Sequence, residues 1–180
     1  MGLANRRTAI IDWIKLGTNL DSNHVIWLDQ DMPRPSLPYV GVRMTTLKTI
    51  NREAIYAPNE DGEANIVTHK EFTLNLHYYG NSSNDPIEKL MILEDSQFKE
   101  GSKSVLEAQQ LVIVQTLMGP SDTAVKLDTV YESRGSMDLL MRMPWELTDS
   151  DQGNIEEIIL KETLNNVADE LITEDEITIP

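Results

Sequence analysis

Three histidines, His24, His69 and His77, are the side chains best suited to hold a metal or move a proton. On one strand His69 and His77 would point the same way, since eight residues preserve parity, yet at about 3.3 Å per residue they stand roughly 26 Å apart. They cannot share a metal, and no HExxH or comparable spacing occurs, so no zinc or iron site is expected. The run Asp149-Ser150-Asp151-Gln152-Gly153 looks like the start of a calcium loop. Such a loop needs an oxygen ligand at its fifth position, Gly at its sixth and Glu at its twelfth. Gly153, Asn154 and Leu160 stand there instead, so the run reads as a polar hairpin turn. Asp29 and Asp31 form an acidic pair of the kind a hydrolase uses for acid–base work. They lack a third group, and a solvated turn is the plainer reading. No GxSxG, GxGxxG or P-loop is present. Cysteine is absent, which removes thiol nucleophiles, disulfides and CxxC motifs together. This inventory points to a binding or structural role, not an enzyme, with no cofactor.

The 180 residues suit one domain with a real core. Hydrophobic residues at 40% and charged residues at 25% are ordinary for a soluble globular chain. No apolar run approaches a membrane span and no secretory lead is visible, so the chain is expected to stay in the cytoplasm where it is made. Without such a lead, the sequon Asn81-Ser82-Ser83 carries no meaning. The net charge is −15, unevenly spread. Residues 1–90 hold 9 Lys/Arg and 11 Asp/Glu, whereas residues 91–180 hold 6 and 19. Phosphate neutralisation needs a basic patch, for which the second half has almost nothing. An acidic surface instead repels DNA and keeps the chain soluble.

The elements that must position these residues follow from periodicity and turn chemistry. Residues 4–16 predict a first helix, with Ile10, Trp13, Ile14 and Gly17 on one face and Gly17 as its stop. Residues 24–28 read as a short strand, followed by a crossing in which Pro33, Pro35 and Pro38 forbid helix and force an extended path. A strand resumes over 39–44, and Asp61-Gly62 reads as a reversal between strands. In the strand over 70–79, Phe72, Leu74, Leu76 and Tyr78 point one way. Asp85 then caps a helix with Pro86 in its first turn, and this helix weakens near Gly101. A second helical stretch begins at Ser102 or Lys103 and runs to about 110, before a strand over 111–114. Gly119-Pro120 reads as a break, and residues 122–131 give no decisive signal. Residues 136–147 form another strand, with Met137, Leu139, Met141, Met143 and Trp145 on one face and Pro144 marking an edge or bulge. A turn over 148–154 leads to a last strand over 155–161. The class is α+β, a mostly antiparallel sheet flanked by helices. Residues 1–161 are expected to form the single domain and 162–180 an acidic arm or tail. That segment has no basic residue, yet it keeps Leu171, Ile172, Ile177 and Ile179, which suits docking on a neighbouring subunit as well as free motion.

One stretch is distinctive: Val25-Ile26-Trp27-Leu28-Asp29-Gln30-Asp31-Met32-Pro33-Arg34-Pro35-Ser36-Leu37-Pro38-Tyr39-Val40. Its apolar strand, polar turn, Pro-Arg-Pro and Pro-Tyr resemble the opening motif of the phage neck terminator family of tailed phages. Phe72-Thr73-Leu74-Asn75-Leu76-His77-Tyr78-Tyr79-Gly80 is similar to that family's central strand ending in Tyr-Gly. Glu132-Ser133-Arg134-Gly135 resembles its Glu-Arg-Arg-Ala lead into a late strand, with Ser133 and Gly135 departing from the common residues. Ile155-Glu156 fits its closing strand. The resemblance covers roughly residues 8–161 in order. It implies a virion structural protein of the neck, assembled in the host cytoplasm, that caps the tail tube as a ring, usually a homohexamer. It would join the tail to the head connector, with DNA passing through the lumen unbound and no membrane involved. A head-completion protein on the portal side is the alternative, and a hydrolase using Asp29 and Asp31 a more distant one. Pro33, Arg34, Pro35, Pro38 and Tyr39 are the candidate subunit interface: a rigid crossing loses little entropy on docking. Arg34 offers a fork for a neighbour's carboxylate or for its own backbone carbonyls.

Overall fold

The computed structural model describes residues 2–31, 33–51, 53–56, 59, 63–81, 83–127, 130–150, 158–165 and 171–179, with backbone alone for 127, 130, 158–165 and 171–179. The elements are α1 (Leu3–Thr18), a single 3-10 turn (Ser22–His24), β1 (Val25–Trp27), β2 (Tyr39–Thr49), β3 (Ala54–Ile55) and β4 (Ala64–Tyr79). They continue with α2 (Pro86–Ser96), α3 (Glu100–Glu107), β5 (Val112–Asp122), β6 (Val125–Leu127) and β7 (Val130–Glu132). β8 (Arg134–Asp149), β9 (Ile158–Asn165) and β10 (Leu171–Ile179) complete the chain. The protein is α+β, as its patterning predicts.

Two compact units divide the chain, Met1–Ala54 with Val67–Glu146 and Ile55–Ile66 with Leu147–Pro180. In the first, the strands run in the order β1-β2-β4-β8-β5, with β3 also pairing β4. β1 pairs β2 in parallel, whereas β2–β4 and β5–β8 are antiparallel. Hydrogen bonds from Thr68 to Trp145, Arg142 to Glu71 and Asn75 to Asp138 show β4 and β8 running in opposite directions too. Alternation sorts the two faces of this sheet. Phe72, Leu74, Leu76 and Tyr78 of β4 are fully buried, as are Val40 and Val42 of β2. Met137, Leu139, Met141 and Met143 of β8 join them. Ile10, Trp13 and Ile14 of α1, Leu90 and Leu93 of α2 and Leu106 of α3 close the same cluster. All three helices therefore cover one face, and each large buried side chain contributes about 1.5–3 kcal/mol.

Local chemistry sets the helix ends. Asp85 accepts a bond from the Ile87 N–H at 2.9 Å and Pro86 is the first residue of α2, the cap that the sequence predicts. α1 ends differently. Asn19, at φ 57°, adopts the left-handed cap and sends its N–H to the Lys15 carbonyl at 2.8 Å. Gly17 is not the stop; it is buried inside α1, where an added Cβ would meet Leu93 of α2. Its missing side chain is what lets the two helices approach. Buried Arg6 ties α1 to the turn after α3 by donating from Nε to the Gln109 carbonyl at 3.3 Å. Burial lowers its pKa, opposed by nearby Glu146. α3 starts earlier than expected, at Glu100, and carries Gly101 within it.

The strand after α3 runs straight through Gly119-Pro120 to Asp122. β5 is the outer strand, with a ladder on one side only, and the register shift between Met118 and Ser121 carries Gly119-Pro120 without a paired position in β8. Pro144 lies beyond Val112↔Arg142, where the β5 register begins, so β8 is locally an edge as expected. Residues 122–131, which carry no sequence signal, contain the hairpin strands β6 and β7, paired from Val125↔Glu132 to Leu127↔Val130. In the second unit β9 and β10 pair antiparallel from Ile179↔Ile158 to Leu171↔Asn165. The segment expected as an arm or tail thus contains a strand. Asp61, Gly62 and residues 151–157 lie outside the described residues, and with them the expected reversal, most of the polar turn and the start of the last strand.

Candidate functional site

The proline crossing leaves β1 at the edge of the sheet and returns as β2, so its ends are fixed by the parallel pairing Val25↔Val40 to Trp27↔Val42. Between them Pro33 and Arg34 are exposed and Pro35 and Pro38 half-buried, with a cis peptide at Leu37–Pro38. Tyr39 enters the sheet opposite Tyr79, and the two rings stack at 4.4 Å with 12° between their planes. Both are buried with Ile26 in a small second cluster. Burial, with Tyr79 alongside, raises the Tyr39 pKa. The Arg134 guanidinium sits 5.8 Å from the Tyr79 ring centroid, and the Gly80 N–H donates to the Ser133 carbonyl at 2.9 Å. Arg34 reaches Glu132 at 3.6 Å while its side chain stays 70% exposed. The partner that the structure gives Arg34 is therefore a side chain of its own chain. Such an exposed pair contributes only about 0–1 kcal/mol and leaves the fork open to other carboxylates.

Three segments far apart in the chain, around residues 34–39, 79–80 and 132–134, thus meet at one place. Beside it lies an open pocket of about 440 Å³ lined by His24, Trp27, Pro33, Arg34, Pro35 and Ser36 among others. His24 and Ser36 come within 3.3 Å across it. Sequence reasoning names Pro33, Arg34, Pro35, Pro38 and Tyr39 but not their partners Tyr79, Glu132 and Arg134. The signal was present in the motif-bearing segments themselves, because each carries an aromatic or a charge that only the fold pairs.

The other candidates separate. Asp29 accepts from Arg7 at 2.7 Å, and the same guanidinium lies 4.7 Å above the Trp27 ring. Asp31 is exposed, and neither carboxylate lines the crossing pocket. A carboxylate held by arginine over an aromatic ring reads as a fastening of α1 to the β1 end, not as a proton carrier. His24 is at the crossing, His69 is exposed on β4, and His77 is half-buried on the sheet face away from the helices. Burial, then Arg134, pushes the His77 pKa down, against the pull of Asp138. Among the described residues no cluster of three or more His, Cys, Asp or Glu is placed to hold a metal. Of the calcium-like run, Asp149 ends β8 and Asp151 onward lies outside the described residues. No helix among the described residues is long and apolar enough to cross a membrane.

No curated protein matches the sequence. The family described as phage neck terminator protein matches over residues 7–168, which take in the crossing, the Tyr-Gly end of β4, the Glu132–Gly135 turn and the start of the last strand pair. That family is a structural one of the phage neck, associated with tail and head proteins. The chain belongs to the phage neck terminator protein family.

Proposed function

We propose that this chain caps the finished tail tube as a ring, six copies in number, and presents the surface on which the head connector docks. Family membership supplies the neck and the structural role. The observation that carries assembly is the outer strand β5, whose Val112, Val114, Leu117 and Met118 are all exposed on a stretch without charge until Asp122. Exposed Met91 and Phe98, on and just after neighbouring α2, add to the apolar surface. An uncovered apolar edge of this extent is a liability for a solitary protein and an asset for one that lives in contact with others. The rigid crossing at Pro33, Arg34, Pro35, Pro38 and Tyr39 offers a second preordered surface, with the Arg34 fork outermost. The net charge of −15 repels a polyanion, so DNA passes the ring without being held. Assembly takes place in the host cytoplasm and the ring ends in the virion neck. Purified chain added to tail tubes tests this by negative-stain microscopy. Rings seated at one end of each tube are expected. Chain found on the portal vertex of heads, with bare tubes, would instead make it a head-completion protein.

A further inference from the structure

We propose that the acidic β9–β10 hairpin of one copy of this chain docks on the helix-free sheet face of the next copy. The proposal rests on the ring reading above and names the surfaces that join its subunits. Charge is divided sharply between the two units. Residues 55–66 and 147–180 hold 13 Asp/Glu and a single base, Lys161, whereas the rest of the chain holds 17 and 14. Within the hairpin the register sets Asp175 directly opposite Glu162, with Glu174 and Glu176 beside it, and leaves Lys161 opposite Glu176. Like charges opposed on neighbouring strands repel. A separate two-stranded sheet is also marginal in water without a cover. A cationic cover answers both needs.

The face of the main sheet opposite the helices provides it. There Glu71 is answered by two cations, Arg142 at 2.7 Å and Lys48 at 3.5 Å. The carboxylate is sunk, 10% exposed, while Arg142 and Lys48 stay 43% and 61% exposed. Arg43, exposed on the same face, forms no ion pair among the described residues. Arg142 and Lys48 thus flank Glu71, and Arg43 stands farther along the face opposite Asn75, whose amide holds the half-buried Asp138. The three cations are exposed and the two anions are not, in a chain whose net charge is −15. The occupant that this face fits is an acidic strand pair, and the sequence carries one in every copy. Because the joined surfaces are unlike, the contact is head-to-tail, which closes into a ring where the rotation allows. Steering of this kind weakens with salt, since the screening length shrinks from about 10 Å at 0.1 M to about 3 Å at 1 M.

Sedimentation of the full chain and two charge-reversed forms tests the contact. One carries Glu174→Lys, Asp175→Lys and Glu176→Lys; the other carries Arg43→Glu and Lys48→Glu, keeping Arg142 on Glu71. The wild type is expected as a ring and each variant alone as a folded monomer by circular dichroism, association weakened at least about tenfold. Mixing the two variants in equal amounts restores the ring, because each then meets its opposite. A variant that assembles alone like the wild type overturns this contact and leaves the ring reading standing. Two monomeric variants that fail to rescue each other overturn it as well. A wild type that is itself monomeric overturns the ring reading first. Should a variant not fold, the wild-type ring must come apart as salt rises from about 0.1 M to about 1 M; a ring indifferent to salt refutes the contact.

Discussion

A methyl group added at Gly17 would stand 2.5 Å from Leu93 Cδ1 and 3.3 Å from Leu93 Cα. The side-chain atom can swing away, but the Cα moves only if α2 moves. Gly17→Ala is therefore expected to destabilise the fold by about 1–3 kcal/mol, seen as a lower urea midpoint at unchanged slope. The sequence marks Gly17 as special for a different reason, its place at the end of a helical pattern. Nothing local shows that another helix will cross there. Titration gives a second residue-scale expectation. His77 has its pKa lowered from 6.5 in the fold, so the unfolded chain binds the extra proton first. Its contribution is complete above pH 6.5 and lost as pH falls below that value. Glu71 has its pKa lowered from 4.5, chiefly by the Arg142 hydrogen bond, so its contribution survives to pH 4.5 and is lost below. Stability against pH should fall in these two stages. His77→Asn should remove the first stage alone, and a first stage that persists in that variant would assign it elsewhere.

At the scale of elements, α2 shows what a local signal achieves. Asp85-Pro86 fixes its start whatever the rest of the chain does, through a bond made within two residues. Asp85→Ala is expected to cost about 1 kcal/mol, measured by thermal or urea unfolding, with the sheet contacts unchanged. A loss near zero would mean that packing of Leu90 and Leu93, not the cap, sets the boundary. The strands with alternating burial, β4 and β8, are legible for the same reason: period two is written into the residues that make it. β5 is legible only at its start. That it passes Gly119-Pro120 depends on its being an outer strand, a property of the assembled sheet that no window of sequence contains. β6 and β7, three residues each, are too short to show any period. The pairing of β9 with β10 was hidden by acidity, because a run such as Glu174-Asp175-Glu176 reads as solvated chain until a partner strand is placed beside it.

For the whole molecule, half of the candidate site was readable and half was not. Pro33, Arg34, Pro35, Pro38 and Tyr39 announce a rigid crossing by composition. Their meeting with Tyr79, Glu132 and Arg134 joins residues up to about a hundred positions apart, a distance that only the sheet order closes. The division of charge between units was visible in the count for each half of the sequence, but the sheet face able to answer it was not. The chain carries a helix-backed sheet, an apolar outer strand, a proline-rich crossing and an acidic strand pair, the last three proposed as surfaces for assembly. The measurement that tests this most directly is electron microscopy of lysates from a phage lacking only this chain. Tails separated from heads, overlong or ragged at the head-proximal end, are the expected result. Intact particles with attached tails of normal length would contradict the account.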